Sequence, residues 1–144
     1  MPDAPLLVML RCPPEEIQRL DTLFGFSIQR ALWALESAAS AAARLAVTRA
    51  VIAPLERERL KLQQAAVRCQ GGGGRLLLPR STVELIERQW RSLCRAAVHA
   101  DFDPAVLPPA LQDPLAGHRA FLAARGLPAA RRPAASGPTR RAGG

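Results

Sequence analysis

Hydrophobic and polar positions repeat at helical spacing from Ile17 to Ile52, over a longer stretch than anywhere else in the chain. At about 100° per residue, Ile17, Leu20, Phe24, Ile28, Ala31, Leu35, Ala38, Ala42 and Ala46 share one broad face. Arg19, Arg30, Ser37, Arg44 and Thr48 gather opposite them, as an amphipathic helix requires. Cys12-Pro13-Pro14-Glu15-Glu16 marks the start, with proline in the first turn and carboxylates where the helix dipole favours them. Pro54 lacks the amide that would bond back to Ala50, so the pattern predicts one long helix to Ile52 that kinks or stops there.

Three shorter helices follow. Leu55, Leu62, Ala66 and Cys69 share a face through Gln70, with Arg57, Glu58, Arg59 and Lys61 on its solvated side. Ser81-Thr82-Val83-Glu84 has capping-box spacing and opens a helix from about Thr82 to Ala100, apolar at Val83, Ile86, Trp90, Leu93 and Ala97. Asp113-Pro114 begins a last helix that Gly126 and Pro128 end, with Leu115, Phe121 and Leu122 able to dock. Strand-type alternation is absent, and Leu6 to Leu10 has no hairpin partner nearby. The fold class expected is all-α: a long kinked N-terminal helix packed on shorter helices in a small bundle. Residues 1–127 form one helical domain with a glycine hinge at 71–74, and 128–144 is a disordered Pro/Ala/Arg tail. Aromatic residues are only 4% and Tyr is missing, so the core falls to Leu, Val, Ile and Ala.

A second stripe complicates the long helix. Phe26, Trp33, Ser40 and Val47 are spaced by seven and Val51 follows one turn on, which places large apolar groups within the polar side. Such spacing suits a coiled-coil type of contact. The shorter helices do not have the length to cover both stripes, so Phe26, Trp33, Val47 and Val51 are the candidate partner-binding residues. Their partner is expected to be a second copy of the chain, a helical protein, or an apolar granule or interface.

Charge adds an alternative. The formal net charge is +8, but residues up to Asp113 are nearly balanced, and beyond it stand six Arg and no acid. Arg131, Arg132, Arg140 and Arg141 could contact phosphates, giving weak, salt-sensitive, non-specific nucleic-acid binding. No aromatic residue is interleaved for base stacking. All basic residues but Lys61 are Arg, a bias that GC-rich coding also produces.

Candidate chemistry is sparse. His99, Asp101 and Asp103 alternate near Cys94 without any recognised ligand spacing. The four glycines are followed by no Gly-Lys-Ser or Gly-Lys-Thr, and no serine stands in a nucleophile-elbow setting. Catalytic, cofactor and metal sites are therefore not expected. Three cysteines without paired spacing suit a reduced compartment, and charges interrupt every apolar run before it reaches spanning length, so a cytoplasmic location is expected.

Leu20 to Ala38, LDTLFGFSIQRALWALESA, resembles the first helix of phasins, the helical proteins that coat polyhydroxyalkanoate granules in bacteria. Leu20, Leu23, Phe24 and Gly25 carry the likeness, while Pro54 and Gly71 to Gly74 depart from it. The resemblance implies a coat or scaffold role, self-association and no catalytic residues.

Overall fold

The computed structural model describes residues 6–69 and 74–126. It is mostly helical, with one two-stranded sheet. The elements run β1 (Leu7–Arg11), α1 (Pro14–Glu36), α2 (Ala41–Val47), a π-helical turn (Thr48–Ile52), α3 (Ala53–Cys69), β2 (Arg75–Pro79), α4 (Arg80–Val98), two 3-10 turns (Pro104–Val106, Pro109–Leu111) and α5 (Pro114–Ala124). The tail, with Arg131, Arg132, Arg140 and Arg141, and most of the glycine run lie outside the described residues.

The single long helix is corrected. α1 starts as expected, with Pro14 at its head and Glu15 and Glu16 in its first turn, but it ends at Glu36. The chain turns through Ser37 to Ser40, and α2 begins with Ser40 Oγ accepting the Ala43 amide at 3.1 Å. Ser37 and Ser40 can satisfy backbone groups locally, which makes a break there cheap. At Pro54 the opposite happens and the helix runs on. The π-helical turn just before it widens the backbone where the proline ring would meet a carbonyl, and the Ala53 amide reaches the Thr48 carbonyl. A helical hairpin results, with α2, the π turn and α3 packed back along α1.

The sheet also departs from expectation. β1 and β2 pair antiparallel, with Val8 opposite Leu78 and Leu10 opposite Leu76. Leu10, Leu76 and Leu78 are buried while Leu77 faces outward. Because Leu76, Leu77 and Leu78 are identical, their alternation in burial leaves no trace in composition. At the sheet's end the Cys12 amide donates to the Gly74 carbonyl at 2.5 Å. Gly74 has φ +81°, a conformation that favours glycine, so this glycine sets the entry into β2.

The core lies where α1, α3, α4 and the sheet meet, built from Leu10, Leu20, Leu23, Phe24, Leu62, Leu76, Leu78, Ile86 and Trp90. α4 carries the expected apolar face, but Ser81 does not cap it. The helix begins directly from β2 at Arg80, and Thr82 turns inward to donate to Glu58 Oε1 at 2.5 Å. Glu58 is therefore buried, not solvated as its sequence neighbours suggest. α5 keeps its Asp113 cap, with Oδ1 accepting the Ala116 amide at 3.0 Å. It docks through Gly117 and Phe121, leaving Leu115 and Leu122 exposed.

Candidate functional site

The candidate partner-binding residues are divided among three elements. Phe26 and Trp33 lie on α1, Val47 on α2 and Val51 in the π turn. Phe26 is covered: it is 9% exposed, its ring 6.5 Å from Phe102, with the Arg30 guanidinium 6.0 Å from its centroid. Trp33 sits edge-on to Phe26 at 6.4 Å and is 52% exposed. An edge-to-face pair of this kind contributes about 0.5–1.5 kcal/mol, enough to orient the indole while most of it faces solvent. Val47 is half-buried and Val51 is exposed.

Leu32 and Leu45 are exposed as well and belong with this group, although the spacing by seven does not include them. The hairpin tip therefore consists of the end of α1, the Ser37–Ser40 turn, α2 and the π-helical turn. Not one residue of α2 is buried, although six of its seven are Ala, Leu or Val. A two-turn helix has little intrinsic stability in water, and here it depends on its Ser40 cap and on continuity with α3. The signal that could have revealed the tip is Ser37-Ala38-Ala39-Ser40 itself, a serine at the spot where a second helix needs a cap.

Beside the tip, Asp21, Thr22, Gly25, Gln29, Trp33, Arg59 and Val106 contribute to a shallow cavity of about 440 Å³. Arg59 binds Asp21 through two hydrogen bonds of 2.9 and 3.0 Å, and Gln63 adds a third at 3.0 Å. The Arg59 hydrogen bonds hold the Asp21 carboxyl below its usual range, with Gln63 helping and partial burial opposing. Arg59 is thus spoken for, and the cavity's charged groups pair with each other.

A second cavity, about 370 Å³, is lined by Cys12, Pro14, Ile17, Ala66, Cys69 and Gly74. Burial, then the nearby Glu16 and Cys69, push the Cys12 thiol up to about 12. Cys69 Sγ donates to the Arg75 carbonyl at 2.6 Å. The Cys12 thiol, held so far from ionising, is a poor nucleophile. Burial would also raise Glu58, but hydrogen bonds from Thr82 and Lys61, with the charges of Lys61 and Arg57, outweigh it and leave the carboxyl below its ordinary range. His99 is exposed at the end of α4, and Asp103 Oδ1 is engaged with the Ala105 amide. Among the described residues, no three His, Cys, Asp or Glu side chains converge as a metal site would need.

No family model matches the chain, nor does any curated protein or solved structure. Among the described residues no helix is long and apolar enough to cross a membrane.

Proposed function

We propose that this chain is a non-enzymatic helical binding protein that acts as a surface coat or scaffold, with the hairpin tip as its contact surface. The observation that carries the reading is α2, an apolar helix with no buried residue, next to a half-exposed Trp33. Exposed apolar area of this kind is unfavourable unless something covers it. The phasin-like segment Leu20 to Ala38 ends in the same tip and supports the same reading.

The test is adsorption of the full-length protein to uncharged oil or polyester droplets, read by co-flotation, with light scattering to follow self-association. Replacing Trp33 and Leu45 together with Ser should weaken adsorption by at least ~10-fold, in line with the apolar area lost, while helicity by circular dichroism stays unchanged. Phe26 is left intact because it packs on Phe102. Adsorption and assembly both unaffected by the double substitution would sink the reading.

A further inference from the structure

The nineteen residues from Ser37 to Leu55 contain Arg44 and Arg49 and not one Asp or Glu. Both arginines are exposed, on the same stretch as exposed Leu45 and Val51, and α2 and the π turn pack on α1, which carries exposed Leu32 and Trp33. Arg30 is different, since its guanidinium lies 5.7 Å from the Phe102 centroid and 6.0 Å from that of Phe26, and so is engaged within the fold. The tip therefore presents apolar groups together with two arginines that form no ion pair among the described residues.

We infer that this tip seats on an anionic lipid bilayer surface. Trp33, Leu32, Leu45 and Val51 enter the boundary between headgroups and acyl chains, and Arg44 and Arg49 reach lipid phosphates. The inference rests on the tip being the contact surface and adds the chemistry of what it meets. Tryptophan favours that boundary because its ring is apolar and its N–H polar. Arginine can lay its aliphatic stem along apolar surface and keep its charge among phosphates. A second copy of this chain fits less well, because two such tips would oppose arginine to arginine, with the nearest acids, Glu36 and Glu56, at the ends of the stretch. A nucleic acid would take the arginines but leave the leucines and valine uncovered.

Vesicles of phosphatidylcholine alone, and of phosphatidylcholine and phosphatidylglycerol in equal parts, test this with the full-length chain at low salt. Trp90 is fully buried and Trp33 is half-exposed, so a blue shift of emission on binding reports Trp33. Trp33→Phe should keep binding and lose the shift. Binding to the anionic vesicles should exceed that to neutral ones by ~30-fold, the contribution expected of two arginines at such a surface. It should fall to the neutral level in the variant Arg44→Gln with Arg49→Gln, whose circular dichroism should match the parent because both side chains are exposed. A variant with Arg131, Arg132, Arg140 and Arg141 all changed to Gln should keep most of the binding.

Equal binding to both vesicles overturns the inference. So does full binding by the Arg44 and Arg49 variant, loss confined to the tail variant, or tighter binding of duplex DNA lost with Arg44 and Arg49. Adsorption to uncharged droplets but to neither vesicle overturns it and leaves the contact-surface reading standing. Binding to none of these overturns both.

Discussion

Gly117 and Ala100 show how single backbone positions carry opposite strain. A Cβ at Gly117 would lie 2.3 Å from Cη2 of Trp90, the largest fully buried side chain, and within 3 Å of two further ring atoms. Gly117→Ala should therefore cost ~1–3 kcal/mol through overpacking, read as a lower urea midpoint. Gly25 in α1 is the contrast. Its Cβ would meet only the end of Arg59, 3.2 Å away, and the same change there should be nearly neutral because helix propensity gains what the shifted arginine loses. Ala100 sits at φ 58° just past α4, where the Asp101 amide reaches back to the Ala96 carbonyl at 2.9 Å. A left-handed alanine is unfavourable, so Ala100→Gly should stabilise by about 0.5–1 kcal/mol. A thermal melt that moves down instead would contradict that account.

At the scale of elements, the hairpin break decides what the protein shows to its surroundings. Ser40 caps α2, and no residue of α2 is buried, so little else holds the first turn. Ser40→Ala should remove about 1 kcal/mol of capping without touching the core. The expected signature is faster amide hydrogen exchange confined to residues 41–47, with the global unfolding midpoint unchanged. A matching fall in the midpoint would mean that α2 unfolds only with the rest. Much of this layer was legible in the sequence: the start of α1, the inward face of α4, and the Asp113 cap of α5 all follow from local patterns. The break at Ser37–Ser40 was hidden because Ala-rich sequence keeps helical periodicity through a turn. β2 was hidden because three leucines in a row carry no alternation. Glu58 looked solvated because its burial depends on Thr82, twenty-four residues away and visible only once α3 meets α4. Of the candidate site, Trp33 and Val51 are exposed, whereas Phe26 is covered by a phenylalanine from the connector after α4 that helix-face counting does not see.

For the whole molecule, two carboxyl groups give pH dependences of opposite sign. Asp21 has its pKa lowered in the folded state, chiefly by Arg59, so its contribution is full above the ordinary carboxylate range and is lost as pH falls. Both partners are about a third exposed, which limits the pair to roughly 1 kcal/mol. Glu16 has its pKa raised by burial, which Arg19 only partly offsets, and its Oε2 has no hydrogen-bond partner among the described residues. Its ionisation opposes folding, so that cost is present at neutral pH and disappears as pH falls. Asp21→Asn should thus be less stable than the parent at pH ~7, a difference that fades below pH ~4, and Glu16→Gln more stable, a difference already lost by the time pH has fallen to ~4. Urea titrations at several pH values measure this, and a Glu16→Gln variant destabilised at neutral pH would refute the assignment for Glu16.

The pairing of β1 with β2 also orders events during synthesis. Leu7 to Arg11 leave the ribosome well before their partner, Arg75 to Pro79, which is made only after α1, α2 and α3. Through that interval the segment Leu7-Val8-Met9-Leu10 is an unpaired apolar strand, the kind of edge that nascent chains must shield from one another. β1 can pair only once β2 has been made, so a crowded polysome is a setting in which this protein is exposed to misassembly.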